Sequence, residues 1–233
     1  MARWYPGCTP AEAQAKADKL LADVGQTVQE YMDAPPWDSS HDAAHIRRVL
    51  QLCEELLASE QQRDPTLQYD VLLVKLLAVL HDIEDGKFVD RRREERKRIE
   101  SVLEKHGTPR ELIDTIKRLI VFISCSYEDK HREETKRIVM EYPEVAIVAD
   151  ADRLDGIGAV GLGRCFVFNA VKGSRLHEMG EVVPRVLLHR HTMIKTAEGI
   201  RRAETRQERM VKFVAWWKEE YHDPRMANWK NLE

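Results

Sequence analysis

The chain has 233 residues, of which 43% are hydrophobic and 33% are charged. This length suits one large domain or two small ones, and the composition excludes collagen-like, low-complexity and wholly disordered proteins. The formal net charge of −3 gives no general attraction to a nucleic-acid backbone or an anionic membrane. We therefore expect neither nucleic acid nor a membrane as a partner.

Four cysteines, at positions 8, 53, 125 and 165, are too widely spaced for a Cys-x-x-Cys motif and too few for a disulfide scaffold. The N-terminus lacks an apolar signal segment, and the longest apolar run, Leu72–Leu80, is too short to span a membrane. These features predict free thiols and a cytoplasmic protein.

Apolar residues recur at helical spacing along nearly the whole chain, which predicts an all-α fold in one domain. The predicted helices cover residues 10–31, 40–57, 71–80, 90–105, 111–123 and 145–168, with two more in the C-terminal third and a loop over 124–134. We assign residues 1–39 to an N-terminal helix with a Pro-rich connection, residues 40–221 to the main domain and residues 222–233 to a tail.

The segment Val71–Leu80 is apolar on nearly every side apart from Lys75, which is typical of a central helix surrounded by others. His81 and Asp82 follow this segment directly. His45 lies in phase with Val49 on the apolar stripe of the second helix. Both histidines are therefore expected near the core.

Three glycines, Gly156, Gly158 and Gly161, match the spacing of a dinucleotide-binding loop. That mechanism requires a strand before the first glycine, but the acidic segment Asp150–Asp155 stands there instead. Close packing of two helices is the favoured interpretation of these small residues.

The strongest group of polar residues consists of His45, the adjacent pair His81–Asp82, and the acidic cluster Asp150, Asp152 and Asp155. Each histidine taken alone could be a hydrogen-bonded core residue. A charged Asp82 at the end of the most apolar helix, however, is costly to bury unless it is paired or bound to a cation. Two imidazoles and two carboxylates would neutralise a divalent ion, so the group predicts a metal site.

These residues carry a family resemblance. The segments His45–Val49, Leu77–Phe88 and Ala149–Asp155 reproduce the order H…HD…D, which resembles the HD-domain superfamily of metal-dependent phosphohydrolases. The pattern is most similar to single-domain HD pyrophosphohydrolases that act on nucleoside triphosphates, and it spans about Ser40 to Tyr221. The resemblance implies a single-domain, HD-type helical bundle with a central metal site, in which residues 40–221 form the HD domain.

The resemblance implies a ligand set for one divalent transition metal, with Asp150 as an open alternative for the last position. The implied ligands are His45, His81, Asp82 and Asp152. Mixed nitrogen and oxygen ligation suits Mn²⁺, our first choice, and leaves Fe²⁺, Co²⁺, Ni²⁺ and Zn²⁺ open.

Asp85 lies four residues after His81 and therefore projects on the same helix face. Related HD phosphohydrolases carry an acidic residue beside the attacking water at this position. We assign Asp85 as general base or water-orienting residue, with Glu84 as the reserve catalytic residue. Basic side chains are expected to contact the phosphate oxygens of a small-molecule substrate. The expected substrate-binding residues are Arg48, Lys87, Arg153 and Lys195.

The predicted activity is hydrolysis of a nucleotide, either a nucleoside triphosphate to monophosphate and pyrophosphate or a phosphomonoester. One alternative is an HD-domain hydratase or a di-iron oxygenase. The di-iron enzyme is considered because His106 and His131 fall between the HD pair and the last aspartate. A non-catalytic helical module that binds nucleotides or proteins is another. The oligomeric state stays open.

Overall fold

The computed structural model describes residues 3–35, 37, 40–84, 98–176, 178, 182–183 and 188–221. Within these ranges the chain is helical and contains no strand, which confirms the predicted all-α class. The ten helices named here are α1 Pro10–Met32, α2 Ala43–Arg63, α3 Val71–Leu80, α4 Arg98–Lys105, α5 Arg110–Leu119, α6 Cys125–Lys130, α7 Arg132–Glu141, α8 Glu144–Asp155, α9 Gly158–Val171 and α10 Ala197–Glu220. A 3₁₀ turn, Ile120–Ile123, extends α5, and the short turns Leu188–Arg190 and His191–Met193 precede α10.

Helices α3 and α8 form the centre of the molecule. Eight of the ten residues of α3 are buried. Its one charged residue, Lys75, reaches the Glu54 carboxylate of α2 at 2.7 Å. Helix α2 packs against both α3 and α8. The end of α3, where His81 and Asp82 follow, therefore lies in the interior.

The N-terminal helix α1 begins with a capping box, in which Thr9 Oγ1 accepts from the Glu12 backbone N–H and the Glu12 carboxylate accepts from the Thr9 N–H. Its apolar face, which includes Leu20, Val24 and Val28, is buried against α3 and its neighbours. Helix α1 thus covers one side of the core.

The predicted loop over 124–134 is wrong, because α6 and the first three residues of α7 occupy most of it. Side-chain contacts hold α6 in place, and the ion pairs among them join residues that are distant in sequence. The Tyr127 ring packs edge-on against Phe122 at 5.3 Å between ring centroids. The Glu128 carboxylate accepts from Arg153 at 2.6 Å and from Lys195 at 2.9 Å. Local polarity alone does not reveal such tertiary support.

A tight connection joins α8 to α9. A Cβ on Gly161 would lie 2.3 Å from the carbonyl carbon of Gly156, so only glycine allows the two helices to approach this closely. Gly161 therefore serves close packing at this connection, in line with the favoured interpretation of the sequence. In the described part of the chain no single helix is long and apolar enough to cross a membrane. The pair α8 and α9 passes that test only when joined across a 73° bend.

Candidate metal centre

Three helices bring the predicted ligands together. His45 lies in the first turn of α2, His81 and Asp82 follow the end of α3, and Asp152 lies in the last turn of α8. The N-terminus of α2 is capped by Asp42, whose carboxylate accepts from the His45 N–H at 2.9 Å. His45 is fully buried, with 0% of its surface exposed.

The side-chain atoms of these residues converge within a few ångströms. His45 Nε2 lies 3.3 Å from His81 Nε2, 3.2 Å from Asp82 Oδ2 and 3.5 Å from Asp152 Oδ1. His81 Nε2 lies 3.4 Å from Asp82 Oδ1 and 3.6 Å from Asp152 Oδ1. Ligands held about 2.1 Å from one metal at tetrahedral or octahedral angles are about 3.0–3.4 Å apart. These separations fit a single ion, and His45, His81 and Asp152 could hold one.

Both imidazoles present Nε2 to the centre of this group. His81 Nδ1 lies 2.9 Å from the Ala78 carbonyl oxygen, and His45 Nδ1 lies 2.8 Å from Asp155 Oδ2. Each Nδ1–H donates to its oxygen, which leaves the Nε2 lone pair free for a metal. Asp82 Oδ2 is buried and lacks a hydrogen-bond partner in proper geometry, as expected of an oxygen that serves a cation.

The electrostatics of the group favour ionised carboxylates. Burial disfavours the charged form of His81, but the Asp82 and Asp152 carboxylates outweigh it and raise the pKa of His81 to about 9. In the same way burial opposes the charge of Asp82 and Asp152, but the two histidines hold the pKa of both carboxyls well below its usual range. Both aspartates are therefore available as anionic ligands near neutral pH.

The structure places Asp152, not Asp150, beside the histidines. Asp150 is fully buried on another face of α8, where its Oδ2 accepts from the backbone N–H of Lys195 at 2.8 Å and of Thr196 at 2.6 Å. Burial raises the pKa of Asp150. Asp150 thus fixes the chain at the start of α10, and Thr196 in turn caps that helix.

Asp155 links the metal centre to two arginines. Arg48, expected to bind substrate, instead donates from Nε to Asp155 Oδ1 at 2.7 Å and from Nη2 to Oδ2 at 3.0 Å. Arg164 donates to the same Oδ2 at 3.0 Å. Burial opposes the charge of Asp155, but His45 and Arg48 hold the pKa of its carboxyl well below the usual range. Asp155 is therefore an anion that orients His45.

Two further residues expected at the substrate lie elsewhere. Arg153 is fully buried and donates to Glu128 at 2.6 Å and to the Met193 carbonyl at 3.0 Å. Lys195 Nζ donates to the same two residues at 2.9 and 3.0 Å. Because successive helix residues are rotated by about 100°, Arg153 points away from the face that carries Asp152. The structure gives Arg153 and Lys195 internal contacts that connect α8, α6 and the turn before α10.

Of the acidic residues expected near the attacking water, Glu84 lies in the described part of the chain. Its carboxylate accepts from the Ile99 N–H at 2.8 Å, and burial raises its pKa. Asp85 and Lys87 lie outside the described residues.

A cavity of about 820 Å³ adjoins the four predicted ligands His45, His81, Asp82 and Asp152, here called the metal group. His81, Asp82 and Asp152 line it together with Glu84. Apolar residues of the 3₁₀ turn after α5, the aromatic Phe168 and the polar Asn169 form other parts of its wall. This volume lies within the range of about 300–1,000 Å³ that is usual for small-molecule sites.

His106 and His131, the histidines that suggested a di-iron site, lie apart from the metal group. His106 Nε2 lies 2.8 Å from Thr27 Oγ1 on α1. His131 is partly exposed and stacks on Tyr127 at 4.2 Å between ring centroids. Among the residues that the structure describes, His45, His81 and Asp152 form the group able to hold a metal, and neither His106 nor His131 adds a ligand.

Comparison with known proteins identifies the family. Residues 42–157 match the sequence model of the HD domain. YpgQ of Bacillus subtilis (strain 168), an uncharacterized protein, is 30% identical over 180 residues, which cover 76% of this chain and 82% of YpgQ. The chain belongs to the HD domain family. This confirms the resemblance found in the sequence.

Solved structures agree with this assignment. The crystal structure of Bacillus subtilis YpgQ in complex with ADP resembles this HD domain protein with a TM-score of 0.65 and 26% identity, and covers 87% of this chain and 98% of that one. An HD-superfamily hydrolase from Bacillus thuringiensis has a TM-score of 0.58 and 24% identity, with coverages of 89% and 97%. At this identity the second likeness concerns the fold alone.

Sequence reasoning placed Asp155 in the acidic cluster of the predicted metal site without assigning it a contact, and it gave no role to Arg164. Asp155 had a usable signal, because it lies three residues after Asp152 on one helix and so projects near the same face. Arg164 had no local signal, since it reaches Asp155 only through the tight connection between α8 and α9.

Proposed function

We propose that this protein is a metal-dependent phosphohydrolase that acts on a nucleotide. The observation that carries the proposal is the convergence of two imidazole nitrogens and two carboxylates, 3.2–3.6 Å apart, at the wall of a cavity of about 820 Å³. This group combines a cation site with space for a small molecule, which is what hydrolysis of a phosphate ester or anhydride requires.

His45, His81, Asp82 and Asp152 would hold one divalent transition metal. Mn²⁺ is our first choice, and the donor set of two nitrogens and two carboxylates suits Fe²⁺, Co²⁺, Ni²⁺ and Zn²⁺ as well. A divalent cation in such a site neutralises phosphate charge and lowers the pKa of water. Asp155 keeps the His45 Nε2 lone pair directed at the ion by accepting the Nδ1–H.

A carboxylate beside the ion would orient the attacking water and accept its proton. Asp85 has this role in the proposal, because it is an acidic residue that follows His81 by four positions in the chain. Glu84 is the reserve. Glu84 lines the cavity, and burial raises the pKa of its carboxyl, which makes it a stronger base than an exposed glutamate.

The substrate in this proposal is a nucleoside triphosphate cleaved to monophosphate and pyrophosphate, or a nucleotide phosphomonoester. The ADP in the YpgQ complex supports a nucleotide, since the two proteins share a fold over most of their length. The apolar and aromatic parts of the cavity wall suit a nucleobase, and the metal group suits the phosphates.

The test measures phosphate and pyrophosphate release from nucleoside tri- and monophosphates by metal-stripped protein reloaded with Mn²⁺. Asp82→Ala is expected to lose metal and activity. Asp85→Ala is expected to keep metal and lose rate. Asp114→Ala, at an exposed residue of α5, serves as the matched control. Full activity in both site variants, or silence of the metal-loaded wild type across the panel, would reject the proposal.

A further inference from the structure

Most arginines near the cavity are already paired with carboxylates. Arg164 lines the cavity but donates to Asp155 and, at 2.6 Å, to the Ser40 carbonyl. Arg48 is held by Asp155, and Arg153 by Glu128. The positive charges expected to bind phosphate are thus largely neutralised within the protein.

Arg190 differs from these residues. It lines the same cavity, at the end of the turn Leu188–Arg190, and is half-buried. Across the described part of the chain its guanidinium makes no hydrogen bond and no ion pair. A guanidinium carries five N–H donors, and within the described residues those of Arg190 have no protein acceptor. An anionic ligand in the cavity would satisfy them.

The position of Arg190 relates it to the metal group. Its Nη1 lies 2.7 Å from the point that a Cβ on Gly156 would occupy. Gly156 follows the end of α8, four residues after Asp152, which is one helical turn. The absence of a side chain at Gly156 therefore lets the guanidinium pass over the backbone at the end of the helix that carries Asp152.

We propose that Arg190 binds a phosphate group of the substrate through paired hydrogen bonds from its guanidinium. The planar fork of arginine matches two phosphate oxygens, and a ligand that also reaches the metal group would present a second phosphate there. The ligand class is a nucleoside di- or triphosphate. This inference rests on the proposed function in that both place phosphates in the same cavity.

The experiment titrates Mn²⁺-loaded protein with ADP in a calorimeter. Arg190→Gln is expected to weaken ADP binding about 10- to 100-fold, since hydrogen bonds to charged groups are lost. Arg190→Lys keeps the positive charge but lacks the planar fork of the guanidinium. Its ADP affinity is expected to lie between those of the wild type and Arg190→Gln. The matched control is Arg209→Gln, an exposed arginine of α10 that also makes no ion pair, and its ADP affinity should not change.

A second variant tests the same contact without changing charge. The Cβ added by Gly156→Ala would displace the Arg190 guanidinium, so this variant should also bind ADP more weakly than the wild type. In Arg190→Gln the Mn²⁺ affinity and the melting temperature should equal those of the wild type, which separates phosphate binding from a structural role.

Equal ADP affinity in wild type and Arg190→Gln, or a wild type that does not bind ADP, would overturn the inference. So would a joint loss of ADP and Mn²⁺ binding in Arg190→Gln. Arg190-dependent ADP binding by a protein that releases neither phosphate nor pyrophosphate from any nucleotide would support this inference and reject the proposed hydrolysis.

Discussion

Asp155 Oδ2 lies 2.8 Å from His45 Nδ1, and both residues are almost completely buried. The same carboxylate accepts from Arg48 and Arg164, so two guanidinium groups balance its negative charge. This arrangement fixes the ring orientation and the tautomer of His45 before any metal binds. Preorganisation of this kind makes Asp155 a positioning residue for the metal centre.

Asp155→Asn is expected to lower Mn²⁺ affinity about 10- to 100-fold, because the amide is neutral and no longer balances the two arginines or polarises His45. The measurement is a titration of metal-stripped protein followed by the electron paramagnetic resonance signal of free Mn²⁺. Asp18→Asn, at an exposed residue of α1, is the control. Wild-type affinity in a folded Asp155→Asn protein would contradict the positioning role.

The metal-free protein is expected to lose stability as the pH rises from about 7 to about 9. The two carboxylates raise the pKa of His81 to about 9, whereas an unfolded histidine has a pKa of about 6.5. A raised folded-state pKa contributes stability that is complete below the unfolded pKa and disappears as pH rises through the folded pKa.

Urea unfolding in the presence of a chelator measures this dependence. The urea midpoint of the wild type should fall over this range, and that of His81→Gln should fall less. Mn²⁺ must displace the His81 proton, so its affinity should increase with pH over the same interval. A wild-type urea midpoint that stays constant between pH 7 and 9 would contradict a protonated, positively charged His81 in the metal-free site.

Arg153→Met is expected to destabilise the protein by about 3–5 kcal/mol, because it removes one partner of a buried ion pair and leaves Glu128 with Lys195 alone. Arg132→Met, which removes an exposed pair with Asp129, should change stability by at most about 1 kcal/mol. Urea unfolding of both variants provides the comparison. Unchanged stability of Arg153→Met together with weaker ADP binding would restore the substrate-binding role that the sequence predicted.

Gly161→Ala is expected to destabilise the protein by about 2 kcal/mol or more, since its Cβ would overlap the backbone at Gly156. Gly163→Ala is the matched control on the same helix, because no atom lies within 4 Å of its added Cβ. Alanine there should raise stability by up to about 1 kcal/mol through helix propensity. Equal effects of the two substitutions on the thermal midpoint would show that close approach at Gly161 is unimportant.

The sequence predicted the parts of the fold that depend on local pattern. The apolar run Val71–Leu80 became the central helix α3, and the periodicity over residues 10–31 became α1, one residue longer. The predicted helix over 111–123 corresponds to α5 and its 3₁₀ extension. The helix expected over 90–105 is described from Arg98 onward. Helix α6 escaped prediction because Arg153 and Lys195, distant in sequence, stabilise it through Glu128.

The candidate site was predictable where residue chemistry and helix phase agreed. The side chains of His45, His81 and Asp82 can bind a metal, and all three residues lie in or beside apolar helix segments. This combination predicted the metal site from the sequence. The basic residues lacked such a signal, because a guanidinium suits a carboxylate inside the protein as well as a phosphate in a cavity. Arg48 and Arg153 therefore pair with carboxylates inside the protein. Arg190 lines the cavity instead, and no local sequence pattern distinguishes it from the other arginines.

The most direct test of the central claim is the Mn²⁺ stoichiometry of metal-stripped protein, compared between the wild type and Asp152→Ala. We predict one Mn²⁺ per chain in the wild type. In Asp152→Ala we predict binding at least about 10-fold weaker, as a lost ligand requires, with the α-helical circular dichroism spectrum unchanged. Equal binding in the two proteins, or two ions per chain in the wild type, would contradict a single metal centre formed by His45, His81, Asp82 and Asp152.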